Sequence, residues 1–266
     1  MSFEGRTAIV TGGAAGIGKT VAENLVAQGA RVLIGDIDIA GAQATAQAIA
    51  TAAAGEITPA GEICSALPLD LADMESIDNF FSRVKAATDK VDILVNCAGI
   101  AAAEEFFELT PQQWDRIMDI NLKGTFFLSQ KVSKAMADAA YGRIVNLSSA
   151  SAFTPSTRAM VSYDVSKAAL VMLTKVMALK LAPYGVTVNG VAPGPVVTGL
   201  LQQFFEDPQT LEKGVEGIPI GRLAQPQDVV SAVLFYCSEE SGYITGTTLP
   251  VEGGNLLVKH IVYGVE

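Results

Sequence analysis

The sequence predicts an α/β fold, a doubly wound parallel sheet of about seven strands with helices on both faces. Three observations carry this. Short β-rich runs alternate with helical patterns from one end to the other. Half of the 266 residues are hydrophobic and only 17% are charged, enough to bury a large core. No Pro-, Gly- or Ser-rich linker breaks the alternation, so residues 1–266 are expected to form a single domain.

The strand runs are Thr7–Val10, Arg31–Gly35, Ile63–Leu69, Ile93–Val95, Arg143–Leu147, Thr187–Val191 and Thr247–Val251. Most are apolar and β-branched, as strands covered on both faces require. Helical patterns fall near 16–28, 39–53, 73–88, 111–138, 161–182 and 225–238. Thr51–Gly61 is small and polar and reads as a surface loop. The connection Pro193–Pro219 is long, and its residues 195–217 read as a substrate lid carrying the apolar cluster Leu200, Leu201, Phe204 and Phe205. An ordinary short helix packed on the body is the alternative. The tail 256–266 is expected either to reach a neighbouring subunit or to be disordered.

Charge and composition exclude several functions. The net charge is −10, from 28 acidic and 18 basic residues, with no basic stripe, so no nucleic-acid partner is expected. Neither a long apolar run nor a signal-peptide pattern is present, which makes a cytoplasmic protein with no membrane partner the expectation. Cys64, Cys97 and Cys237 are scattered, without a C-x-x-C pair, and read as small buried hydrophobes in a reducing compartment. His260 is the single histidine, so a Ser-His-Asp triad or a multi-histidine metal site would have to use this residue near the C-terminus, with no partner histidine, and a surface or packing role is expected for it. No metal is expected.

Thr11-Gly12-Gly13-Ala14-Ala15-Gly16-Ile17-Gly18 joins the first strand to the first helix. Gly12, Gly16 and Gly18 let the backbone turn tightly and approach a pyrophosphate, while free amides at the helix start face the anion. This predicts a Rossmann-type dinucleotide site. Asp36 ends the second strand, 18 residues after Gly18. A carboxylate there accepts hydrogen bonds from a ribose and repels a 2′-phosphate. Alanines rather than an arginine stand at 14 and 15, so NAD is the expected cofactor. The competing reading, that Asp36 caps the next helix, is shared with Asp38.

Further motifs follow in order: Asn96-Cys97-Ala98-Gly99, Asn121, Ser149, Tyr163-x3-Lys167, Pro193-Gly194, and Ile244-Thr245-Gly246 with Val251-Glu252-Gly253-Gly254. With the glycine loop, these make the chain resemble the short-chain dehydrogenase/reductase family, in its single-domain branch, over roughly residues 5–255. Two departures stand out. Cys97 occupies a place where the family most often has asparagine. The gap from Ser149 to Tyr163 is one residue longer than the commonest spacing, which leaves Ser148 and Ser151 as rivals to Ser149.

The resemblance implies catalytic roles for Asn121, Ser149, Tyr163 and Lys167. It places Gly12, Ala15, Gly16, Ile17, Gly18, Asp36, Asp70, Leu71, Asn96, Ala98, Gly99, Tyr163, Lys167, Pro193, Val196 and Thr198 around the cofactor, with Asp70 and Leu71 near the adenine and Val196 and Thr198 at the nicotinamide. Tyr163 and Lys167, four residues apart, share one helix face. A free phenol titrates at about 10, and a nearby ammonium is expected to lower that value and make Tyr163 an acid/base. Ser149 can hold the reacting oxygen. In the family, the residue matching Asn121 helps hold a water that links the lysine to solvent.

Ser149, Ser151, Phe153, Met160, Tyr163, Val196, Leu200, Phe204 and Phe205 are the candidate pocket, largely apolar. The implied activity is NAD-dependent interconversion of a secondary alcohol and a ketone, on a neutral cyclic, aryl or polyol-type substrate. A 3-oxoacyl/3-hydroxyacyl reductase-type enzyme or a non-catalytic NAD-binding protein are the alternatives. The family commonly forms homotetramers.

Overall fold

The computed structural model describes residues 1–53, 63–156, 159–202 and 215–258, and only the backbone of Leu201 and Gln202. Its strands are β1 (Thr7–Thr11), β2 (Arg31–Asp36), β3 (Cys64–Pro68), β4 (Ile93–Asn96), β5 (Gly142–Leu147), β6 (Val186–Pro193) and β7 (Thr248–Val251). They form one parallel sheet in the order β3-β2-β1-β4-β5-β6-β7. The helices are α1 (Gly16–Ala27), α2 (Ile39–Ala53), α3 (Met74–Ala87), α4 (Pro111–Met118), α5 (Thr125–Asp138), α6 (Val161–Leu181), α7 (Gly199–Gln202), α8 (Pro226–Cys237) and α9 (Asn255–Val258).

Alternation along each strand sends side chains to two separate cores. Val10, Ile34, Val95 and Val145 pack with α1, α2 and α8. Ile9, Leu33, Leu94 and Ile144 pack with α3, α5 and α6. Among the described residues no helix is long and apolar enough to cross a membrane.

The helix expected over 111–138 is three pieces. α4 starts on a capping box between Thr110 and Gln113, with Pro111 in the first turn. A π-helical segment, Asp119–Gly124, then joins α4 to α5. Gly124 explains how this stretch lies so close to the β3–α3 connection, since a Cβ there would sit 2.0 Å from the Leu71 carbonyl oxygen. Thr51–Ala53, where the expected helix 39–53 and the expected loop overlap, belong to α2. The rest of that expected loop, the middle of the expected lid with Phe204 and Phe205, and residues 259–266 with His260 lie outside the described residues.

The sheet places Thr11, Asn96 and Asn146 side by side at the carboxyl ends of β1, β4 and β5. The strand order reverses direction between β1 and β4. Connections leaving there diverge and open a crevice, the usual ligand position in such sheets.

Candidate active site

The glycine loop forms the floor of this crevice. A Cβ on Gly12 would lie 2.8 Å from the Ala98 Cα, and one on Gly18 would lie 2.2 Å from the Gly12 carbonyl oxygen. Only glycine permits this closeness. Ala15 is the N-cap of α1 and offers no side chain to its first-turn amides, the arrangement that suits a bound phosphate. The Thr11 hydroxyl accepts from the Cys97 and Ala98 amides, both at 3.1 Å, and locks β1 to the segment after β4. Thr198 arches over the loop, so that a Cβ on Gly16 would meet its Cγ2 at 3.3 Å.

Asp36 and Asp38 divide the work that the sequence left open. Asp38 accepts from the Gly41 amide at 3.0 Å, in the first turn of α2. Asp36 accepts from the Ala14 amide at 2.9 Å and the Asp38 amide at 3.0 Å, which holds its carboxylate beside the glycine loop. The glycine floor, the uncapped helix start and this carboxylate together fit a nicotinamide dinucleotide.

Three residues expected around the cofactor have their side chains engaged in the cores, so only their main chains can meet it. Asn96 does not offer its side chain to the adenosine. It lies on the same strand face as Leu94, and its amide donates to Ser129 and Asn146 at 2.9 and 2.8 Å inside the α5–α6 layer. The side chain of Leu71 is buried in the same core, and that of Val196 is buried in the opposite core. Their main chains alone remain near the crevice. Asp70 accepts from the Ala72 amide at 2.8 Å. Pro193 ends β6 opposite Val251, and Ile17 is half-buried in the first turn of α1.

The three serines after β5 are separated by their partners. Ser148 donates to the Lys167 carbonyl at 2.7 Å, which commits it to the backbone of α6. The Ser151 hydroxyl is buried without a partner among the described residues, while its amide donates to the Ser149 hydroxyl at 3.2 Å. Ser149 is the one whose hydroxyl acts on the Tyr163 phenol, favouring its charged form.

Lys167 is 5% exposed; its ammonium donates to the Leu147 carbonyl at 2.9 Å and lies 5.6 Å from the Tyr163 ring centroid. Burial pushes this ammonium down to about 8. The Tyr163 phenol is not lowered, as expected from Lys167, but raised. Burial is the main cause, hydrogen bonding to Ser149 works against it, and Asp164 adds to it. The ammonium faces a carbonyl rather than the phenol oxygen, so its charge does not outweigh desolvation.

Asn121 lies fully buried within the π-helical segment. Its carbonyl oxygen accepts from the Ile100 amide at 2.9 Å, and its amide nitrogen donates to the Ile100 carbonyl at 2.9 Å and to Ser166 at 3.0 Å. Gly99 separates Asn121 from Lys167: a Cβ there would be 3.2 Å from both side chains.

Of the expected pocket, Phe153 is half exposed, Met160 is half-buried at the N-cap of α6, and Leu200 stands partly exposed on α7. Three participants escaped the sequence reading. Ser162 and Ser166, both fully buried, flank Tyr163, and buried Glu104 accepts from Ser162. The partners are 58 residues apart, so no local signal reveals the contact.

Comparison with known proteins agrees with this geometry. The family model described as enoyl-(acyl carrier protein) reductase matches residues 12–255. The chain is 36% identical to a 3-oxoacyl-(acyl-carrier-protein) reductase of Aquifex aeolicus, over 96% of this chain and 98% of that protein. It is 34% identical to an NAD-dependent glycerol dehydrogenase of Listeria innocua, over 94% and 93%. A solved short chain dehydrogenase/reductase family protein superposes with a TM-score of 0.84 at 33% identity, covering 97% of this chain and 100% of that one. A Beutenbergia cavernae structure, provisionally assigned as an NAD(P)-dependent gluconate 5-dehydrogenase with NADP at low occupancy, gives 0.89 at 35% identity, covering 96% and 98%.

Proposed function

The chain belongs to the short-chain dehydrogenase/reductase family, oxidoreductases that bind a nicotinamide dinucleotide, and from that premise we propose that it interconverts a secondary alcohol and a ketone with NAD. The observation that carries the reading is the grouping of Ser149, Tyr163 and buried Lys167 beside the glycine floor. A bound nicotinamide supplies the hydride acceptor or donor. Gly12, Gly16, Gly18, Ala98 and Gly99 hold the dinucleotide by close backbone approach, and Thr198 covers it. Ser149 donates a hydrogen bond to the substrate oxygen and fixes its place. In reduction Tyr163 gives its phenol proton to the developing alkoxide; in oxidation it first loses that proton to solvent, and the phenolate then takes the hydroxyl proton. Its raised pKa suits a group that holds its proton until a substrate and a positive charge arrive. Lys167 supplies part of that charge and a donor for the cofactor ribose.

Asp36 favours NAD, because a 2′-phosphate placed there would meet a carboxylate with Ala14, Ala15 and Ile37 around it and no basic side chain among them. The likeness to an NAD-dependent glycerol dehydrogenase supports the same choice. Phe153, Met160 and Leu200 favour a neutral cyclic, aryl or polyol-type substrate. A 3-oxoacyl thioester is the second reading, favoured by the match to a 3-oxoacyl-(acyl-carrier-protein) reductase.

The test uses glycerol, cyclohexanol and 1-phenylethanol with NAD and NADP, and acetoacetyl-CoA with both reduced cofactors. NAD is expected to give the higher kcat/KM, and Asp36→Ala to narrow the NAD/NADP ratio by about tenfold. A wild-type preference for NADP, or a ratio unmoved in the variant, refutes the cofactor reading. Turnover confined to acetoacetyl-CoA selects the second substrate reading.

We also infer a cytoplasmic homotetramer. Val165, Met172, Val176 and Leu179 stand exposed along one face of α6, a surface suited to burial against another copy. Cell fractionation tests the location, and a monomer in sedimentation velocity would refute the assembly.

A further inference from the structure

Tyr163 lies between two serines that tie its turn of α6 to one and the same connection, residues 97–110 between β4 and α4. On the C-terminal side, Ser166 donates to the Tyr163 carbonyl at 2.7 Å and receives the Asn121 amide, which also grips Ile100 through both of its backbone groups. On the N-terminal side, Ser162 is held by Glu104. Glu104 is 3% exposed. Its carboxylate accepts from the Ser162 amide at 2.9 Å and from the Ser162 hydroxyl in a short contact. Its own amide donates to the Ala159 carbonyl at 2.9 Å, on the segment entering α6.

A carboxylate buried this deeply needs strong partners, and the start of a helix provides them in free amides and a favourable dipole. Met160, the N-cap of α6, contributes no side-chain cap. Glu104 supplies that cap from a distant part of the chain. The consequence reaches beyond helix stability. The connection that carries Glu104 begins with Ala98 and Gly99, on the cofactor side of the crevice. Clamps at Ile100 and Glu104 therefore make the cofactor-facing backbone and the Tyr163 turn one rigid piece.

We propose that Glu104 is a positioning residue for Tyr163, setting through Ser162 where the phenol stands relative to the cofactor side of the site. This rests on the reading of Tyr163 as the acid/base. Rates of proton and hydride transfer fall steeply when the participants move by a fraction of an ångström to an ångström, so loosening this turn lowers kcat more than it weakens binding.

Glu104→Ala, Glu104→Gln and Ser162→Ala test it alongside Tyr163→Phe. NADH fluorescence titration counts competent sites and gives the NADH Kd. Turnover per site is then measured with whichever of glycerol, cyclohexanol and 1-phenylethanol the wild type oxidises fastest, or with acetoacetyl-CoA if it oxidises none of them. Glu104→Ala is expected to lower kcat per site by about tenfold, with KM and the NADH Kd within about twofold of wild type. Glu104→Gln keeps an acceptor for the Ser162 amide and is expected to restore most of the loss. Ser162→Ala, which keeps the amide and removes the hydroxyl, should fall between them and carries the test with Glu104→Gln if Glu104→Ala does not fold. Wild-type kcat per site in Glu104→Ala, or in both milder variants if it does not fold, overturns the proposal. So does a Gln variant as impaired as the Ala variant. Near-normal turnover in Tyr163→Phe instead overturns the underlying acid/base reading, and is seen in that variant alone.

Discussion

The two ends of the sheet treat charge in opposite ways. At the amino ends of β1, β4 and β5, opposite charges are paired. Asp92 is 4% exposed and accepts from the Thr7 amide at 2.8 Å and from Arg6 at 3.0 Å. Arg6 and Arg143 both bond Glu239, and their guanidiniums stack over the Tyr141 ring, 3.9 and 4.6 Å from its centroid. At the carboxyl ends, Lys167 buries its ammonium against a neutral carbonyl and Tyr163 buries a phenol whose charged form is disfavoured. The difference teaches a division of labour: paired charge at one end ties strands together, and poorly compensated groups at the other are held ready for chemistry.

The largest expected effect breaks the reactive end alone. Tyr163→Phe should lower turnover by about a hundredfold or more while the NADH Kd and the melting temperature stay near wild type. Activity within a few-fold of wild type would end the mechanism. The mirror experiment is Asp92→Ala. It strips the Thr7 amide of its acceptor and leaves Arg6 with Glu239 alone, and should destabilise the fold by about 2 kcal/mol in urea unfolding, since Arg6 is partly exposed and solvent screens its share. Turnover per NADH site should not change. A variant that keeps its stability and loses turnover would erase the division.

How much of this was legible in the sequence depends on the kind of constraint. Strand runs such as Arg31–Gly35 and helices such as 39–53 match because local pattern and tertiary burial agree. The expected helix 111–138 hid a π-helical segment because helical periodicity continues through it, and the close approach of Gly124 to the Leu71 backbone is a contact between distant segments. The family resemblance places Asn96 at the cofactor, and strand alternation turns its side chain under α5. Asp36 and Asp38 could not be separated by spacing, only by which amide each accepts. Glu104 sits among alanines and glutamates with nothing to mark it, and its partner Ser162 is fixed only by the packing of α6.

A stability measurement, in which turnover is not the readout, sharpens the contrast further. Burial holds the Lys167 ammonium at about 8, below the unfolded lysine value of about 10.4. Below pH 8 both states carry the proton, and the folded protein bears the full penalty of burying it. Above pH 8 the folded state releases its proton while the unfolded state still holds one, so this residue's contribution to stability rises with pH until about pH 10.4. Tyr163 has the opposite sign, its raised pKa lowering stability with pH only above the unfolded phenol value of about 10. Cys97, the other ionisable group acting on Lys167, is pushed up to about 12 by burial and remains neutral through this window. Lys167→Met keeps much of the chain's volume and removes the charge. It should therefore be more stable than wild type near pH 7, with a margin that shrinks steadily as urea midpoints are followed toward pH 10. A margin independent of pH would mean that the ammonium is not held against its own desolvation, and the two ends of the sheet would then follow one rule.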